Sequence, residues 1–241
     1  MQPTFLPWAG YFHLISSADT FVFLENIPLS KQSWQTRNRI LLENKKHWLS
    51  VPLESRTLSQ KICEVKLNST LNWREKHLST LKHAYAKKPF GHKVISLISD
   101  IYNLPLTHLA DLNIALIKAI SQELKLDTSF YRASELGIEG QRTDRLITIC
   151  QHFDSDTYLS PQGAKDYISE DQSFDKSTIN LQYQHFEPKN YFQGYQQDYV
   201  PYLSVIDLIA NVGWEASKEY ISSQQTLSNT HSIATSPAPL L

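Results

Sequence analysis

Cysteine is scarce in this chain. Only Cys63 and Cys150 occur among 241 residues, too few for a disulfide framework. No CxxC pair and no Cys/His spacing of ligand type is present, so no metal centre is expected. An excess of one charge is also missing: 23 basic residues face 24 acidic ones, a formal net charge of −1. A nucleic-acid binder usually carries a basic bias, so nucleic acid is not the expected partner, although single phosphates could still be bound locally. Long apolar runs are absent, each being broken by Asp, Ser, Lys or His well short of the roughly 20 residues that span a bilayer. The opening MQPTFLPWAGYF has no basic leader region and places two prolines where a signal core would lie. These absences point to a reducing compartment and a cytoplasmic protein, with no membrane insertion. A chain of this length buries roughly 70–75% of its unfolded surface, so its core needs no covalent staples.

What is present reads as an α/β chain. QPTFLPWAG brackets a short apolar segment with prolines and reads as a rigid loop, followed by a short helix over YFHLISSA. The apolar run from Thr20 to Leu24, bounded by Asp19 and Glu25, predicts a buried strand. SKQSWQTRNRI is polar and reads as a loop or a helix. HWLSVPL and KICEVK each read as a strand, the second half-exposed. From Leu71 the pattern turns helical: Asn72 is placed to cap WREKHLSTLKHAYAK, which Pro89 ends. A helical pair over 92–104 and 108–124, hinged at Pro105, carries Ile95, Ile98, Ile101 and Leu112, Leu116, Ile120 at helical spacing. A short strand at 130–136, a helix at 143–153, TYLSPQG as strand into loop, a strand at 179–186 and a helix at 205–210 complete the pattern. The expected architecture is a parallel, Rossmann-like sheet core with a mainly helical middle segment at about 72–124. Residues 1–221 would form one unit, and the Ser/Thr/Pro-rich 222–241 a flexible tail.

Two segments hold the densest unusual chemistry. In the first, Gln2, Pro3, Trp8, Gly10, Tyr11 and His13 sit on a tight Pro/Gly loop entering a helix, where backbone N–H groups favour an anion. Trp8 and Tyr11 could stack on a base or sugar ring, Gln2 and His13 could hydrogen-bond it, and Gly10 permits close backbone approach. The competing reading is a structural turn that packs Trp8 into the core. In the second, Lys31, Ser33, Gln35, Arg37, Asn38 and Arg39 mix amides with cations after an apparent strand. Arginine's planar fork suits phosphate, and lysine supplies a point charge; a solvated basic loop is the plain alternative. No acidic residue occurs from Ser30 to Leu42, the nearest being Glu25 and Glu43. Ser160 and Gly163 mark a strand end turning into a helix, either an anion or hydroxyl site or an ordinary turn. Asp207 and Asn211 lie one helical turn apart, where they could read sugar hydroxyls or form a buried polar cap. His77 and His83 have no metal spacing and read as packing or surface residues. Both cysteines read as core thiols.

The motifs QPTFLPWAGYFHLI, SWQTRNRI, NWREKHL, RTDRLITIC, DTYLSPQGAKDYI and YLSVIDLIANVG resemble the WbqC-like family over nearly the whole chain. The opening loop is also weakly similar to that of nucleotidylyltransferases, with Trp8 and Tyr11 standing where that motif has histidines. In relatives a short apolar strand runs into the QP motif, and here Met1 occupies its last position. The resemblance implies a role in bacterial surface-polysaccharide (O-antigen type) biosynthesis and carries no established reaction. The expectation that joins these readings is a transferase using a nucleotide-linked sugar or a nucleotide cosubstrate. Lys31, Arg37 and Arg39 would neutralise phosphate charge, and His13 would act as acid or base. The alternative is a non-catalytic sugar-nucleotide-binding or scaffold protein that contacts other proteins of the same pathway. The sequence names no cofactor.

Overall fold

The computed structural model describes residues 1–223 apart from 31, 32, 56, 58, 139 and 195–197. The described residues divide into two compact units, one from 1–138 with 186–223 and the other from 140–185. The tail expectation lies outside the described residues, as does Lys31.

The first unit begins with a helix, α1 (Ala9–Ser16), buried on nearly every side from Ala9 to Ile15. Strand β1 (Thr20–Phe23) pairs in parallel with β4 (Ser129–Arg132), Phe21 opposite Phe130 and Phe23 opposite Arg132. Phe23 also stacks on Phe130 at 5.6 Å. Met1 lies along the other edge of β1: its amino group donates to Val22 O at 2.8 Å, and its carbonyl accepts Leu24 N at 2.8 Å. That is the bonding pattern of a parallel neighbour, and it anchors the loop that starts at Gln2.

Strands β2 (Arg37–Leu42) and β3 (Lys45–Ser50) form an antiparallel hairpin. The connecting Glu43 and Asn44 both have positive φ, 50° and 62°, as a two-residue hairpin turn of matching twist requires. The segment read from sequence as loop or helix is therefore a strand from Arg37 onward. The helical middle segment forms as expected: α2 (Trp73–Tyr85), α3 (Gly91–Tyr102) and α4 (Leu109–Glu123) fill 72–124 without a strand. Leu112, Leu116 and Ile120 of α4 are fully buried. Asn72 does not cap α2; its side chain donates to Glu75 instead. Gly91 is required where α3 starts, since a β-carbon there would sit 1.7 Å from the Tyr85 carbonyl oxygen. Helices α7 (Val205–Val212) and α8 (Trp214–Ser222) pack on α3 and α1 respectively.

The strand expected at 61–66 is instead a 3-10 turn, Ile62–Glu64. Ile62 and Val65, three residues apart, are both fully buried, which the period of three allows and strand alternation does not.

The second unit contains α5 (Arg142–His152), β5 (Thr157–Ser160), α6 (Lys165–Asp171) and β6 (Asn180–Tyr183). Here β5 and β6 pair in parallel, with Ser160 opposite Tyr183. Among the described residues the protein is thus a mixed α/β fold with eight α-helices, and its named strands pair in parallel in two two-stranded sheets.

Candidate functional site

Strand alternation builds the first part of the site. On β2 the side chains of Arg37 and Arg39 share one face, and Asn38 turns to the other, where it is buried. The hairpin register sets Trp48 opposite Arg39. Trp34 and Trp48, 48% and 42% exposed, lie with ring centroids 5.6 Å apart. The Arg37 guanidinium sits 4.4 Å above the Trp48 ring, and that of Arg39 lies 5.4 Å from Trp34 and 5.6 Å from Trp48. Stacking engages the flat face of a guanidinium and leaves its in-plane N–H groups for an acceptor.

Neither guanidinium makes an ion pair among the described residues. The two nearest acids in sequence are engaged elsewhere. Glu25 is fully buried and accepts from Ser134, Ala133 N and Arg132, while Glu43 faces His83 at 3.8 Å. One donor of Arg39 reaches the Tyr202 carbonyl at 3.4 Å, and its Nε is buried with no partner among the described residues.

The buried side of the same strand grips the N-terminal loop. Asn38 Nδ2 donates to the carbonyls of Phe5 at 3.1 Å and Leu6 at 2.8 Å, and Phe5 N donates to Trp34 O at 2.9 Å. Gln35 donates to the Gln2 side chain, and Asn113 Nδ2 on α4 ties Pro3 O at 3.1 Å to Gln35 O at 2.9 Å. The segments 2–15 and 30–40 therefore meet. Leu6 has φ 41° and Tyr202 φ 61°, left-handed conformations that cost a branched or bulky residue strain. Both flank this junction: Leu6 is held by Asn38, and the Tyr202 ring packs on Trp8 at 5.3 Å.

Other expected site residues are spoken for. Gly10 serves packing, since a β-carbon there would lie 2.3 Å from the Trp8 ring. Trp8 itself packs edge-on against Phe186 at 5.4 Å. Tyr11 is buried and donates to Gln2 O at 2.9 Å, and burial pushes its pKa well up. His13 is 1% exposed, with Phe186 at 5.1 Å. Asp207 is fully buried and accepts from Tyr85 at 3.0 Å, Tyr191 at 2.8 Å and Gln193 at 3.3 Å; burial raises its pKa. Asn211 donates back to the Asp207 carbonyl at 2.7 Å. In the second unit, Ser160 is fully buried, and Gly163 lies in a 3-10 turn with open space around it. Burial also raises both thiols, Cys150 to about 11, which argues against nucleophilic use. A separate cavity of about 510 Å³ on α4 is lined in part by Asp111, Lys118, Gln122 and Arg132, and there Arg132 is already paired with Asp111 at 2.8 Å.

The sequence profile of the WbqC-like protein family matches residues 2–219, so both segments of the junction fall within it. The chain belongs to that family. The chain is similar to the uncharacterized protein Rv1507c of Mycobacterium tuberculosis (strain ATCC 25618 / H37Rv), 28% identical over 218 residues that cover 90% of this chain and 94% of the relative. No solved structure matches. Within this WbqC-like chain, three site residues escaped sequence reasoning: Trp48, Tyr202 and Asn113. Only Trp48 had a usable signal. Centring RNRILL and KKHWLS on Glu43-Asn44 as a two-residue turn would have set it opposite Arg39.

Proposed function

We propose that this protein is a group-transfer enzyme of bacterial surface-polysaccharide (O-antigen type) biosynthesis, working in the cytoplasm on a nucleotide-linked sugar or with a nucleotide cosubstrate. The observation that carries the reading is the pair Arg37 and Arg39: stacked on indoles, half-exposed, and without an ion pair among the described residues. A guanidinium already held by a carboxylate must break that pair to take a phosphate, and these two need not. The indole faces of Trp34 and Trp48 supply a stacking surface for a base or sugar ring. In group transfer, the same two cations would offset negative charge that grows on the phosphate as its bond to the sugar breaks.

A second reading keeps the ligand and drops the chemistry: a non-catalytic sugar-nucleotide carrier or scaffold for other proteins of the pathway. The burial of His13 favours it, because an acid or base must reach its substrate and this ring is 1% exposed.

The experiment is a thermal-shift screen with nucleotides, sugar nucleotides and acyl thioesters. A ligand at 100 times its Kd stabilises the fold by about 2.7 kcal/mol. Replacing Arg37 and Arg39 with Gln removes two charge-assisted bonds at about 1.5–3 kcal/mol each. Affinity for the best ligand is expected to fall well over tenfold while the free protein's Tm stays near its original value. Unchanged affinity with a large loss of stability would place the site elsewhere. A His13→Gln variant then separates the two readings, since a carrier keeps its affinity and has no turnover to lose.

A further inference from the structure

The junction of the two segments holds a group of buried polar atoms with no hydrogen-bond partner among the described residues. Asn113 is fully buried, and its nitrogen is committed to the Pro3 and Gln35 carbonyls, which fixes the amide's orientation and leaves Oδ1 with no partner. Gln35, 5% exposed, donates its nitrogen to Gln2 and likewise leaves Oε1 unpartnered. The hydroxyls of Thr4 and Ser33 are in the same condition. All four belong to one junction. Thr4 lies between Pro3, which Asn113 holds, and Phe5, which donates to Trp34 O, and Ser33 and Gln35 flank Trp34. Gln2, Thr4 and Ser33 are half-buried, and Gln35 and Asn113 are buried.

Unanswered buried oxygens are costly, and native proteins keep few of them. Their chemistry specifies what would answer them. Two are amide carbonyl oxygens, which only accept, and two are hydroxyls, which accept or donate. An anion would meet lone pairs here, whereas a polyol would bring the missing donors. Two residues along the chain from Gln35, Arg37 offers the opposite chemistry. We infer that Gln2, Thr4, Ser33, Gln35 and Asn113 form a hydroxyl-reading subsite that holds the sugar ring of a nucleotide-linked sugar, with its phosphates on Arg37 and Arg39. This rests on the function proposed above and adds the residues that distinguish a sugar nucleotide from its bare nucleotide.

The test uses hydroxyls that carry no structural bond. In the full chain, Thr4→Val and Ser33→Ala, made singly, delete an oxygen that holds nothing in the fold. Titrations compare uridine, thymidine and guanosine diphosphates with and without a linked hexose. At least one hexose-linked form is expected to bind tenfold or more tightly than its bare diphosphate. Each variant is expected to weaken that form about tenfold, leave the bare diphosphate unchanged, and leave the free protein's Tm unchanged or raised. Equal affinity for hexose-linked and bare diphosphates would overturn the inference alone. Variants that lower the Tm yet keep sugar affinity would also overturn it, because the oxygens would then be bridged by internal water. If none of these compounds binds, the proposed function falls and the subsite with it.

Discussion

Asp207 and Arg37 both carry ionisable side chains in the first unit, one on helix α7 and the other on strand β2. They differ in how fully the protein answers them. Around Asp207, two tyrosine hydroxyls and a glutamine amide converge on one carboxylate, and Lys88 Nζ clamps the Gln193 carbonyl at 2.6 Å. Around Arg37 and Arg39 the protein supplies flat aromatic faces and no ion pair among the described residues. Arg132 shows that the fold readily pairs a guanidinium where pairing serves it, holding Glu25 at 3.4 Å and Asp111 at 2.8 Å. A matched polar cluster holds the fold, and an unmatched one is, on the function we propose, left open to a ligand.

The comparison breaks most visibly at Asp207. Asp207→Ala leaves Tyr85 and Tyr191 hydroxyls without their acceptor, at about 1–3 kcal/mol for each orphaned buried group. With the lost Gln193 contact, the expected destabilisation is on the order of 3–5 kcal/mol, read as a fall in the urea midpoint. Ligand affinity, corrected for the unfolded fraction, is expected to stay constant. Lost affinity at retained stability would move Asp207 into the binding machinery.

A second matched cluster answers to pH. His77 on α2 is buried, with Nδ1 against Tyr102 Oη at 3.1 Å and Nε2 against Ser50 O at 3.1 Å. Burial pushes its pKa down from 6.5 to about 4, the Ser50 contact partly opposing. Its folded pKa is thus below its unfolded value, so its contribution is fully present above pH 6.5 and lost as pH falls towards 4. At 1.36 kcal/mol per unit the total is roughly 3 kcal/mol. Urea midpoints between pH 7 and 4 are expected to fall more steeply for the native chain than for His77→Gln. Parallel slopes would show the ring to be charged or exposed in the fold.

The smallest effect belongs to the unmatched face. Trp48→Ala removes an exposed ring and its contact with Arg37, worth about 0.5–1 kcal/mol to the free protein. Loss of a stacking surface costs about 1–3 kcal/mol in binding per base. Affinity should therefore fall further than stability, and the reverse order would make Trp48 a support for the hairpin alone.

The helices were legible because their burial is periodic: Leu112, Leu116 and Ile120 repeat every four residues and all face inward. The hairpin was not, because six polar residues crowd 33–39 and conceal that only Asn38 of the strand's first three turns inward. Asp207 could be read either way on its helix, and what decides it is Tyr85, 122 residues distant. Leu6 offers no local hint of a left-handed conformation, which depends on an amide supplied by residue 38. The two segments of the candidate site were each visible as unusual chemistry. Asn113, which ties them together, was hidden on a helix whose apolar pattern drew all the attention.

Asn38 sits between Arg37 and Arg39, and that adjacency makes the hairpin its own proofreader. Suppose β2 seated one residue out of step while the chain was folding. Both guanidiniums would turn inward with no carboxylate to receive them, and Asn38 would turn out, releasing Phe5 and Leu6. Burying two bare cations costs far more than the shifted pairing returns, so the misaligned hairpin is strongly disfavoured. The stacked cations and the loop-holding amide thus depend on one and the same strand register.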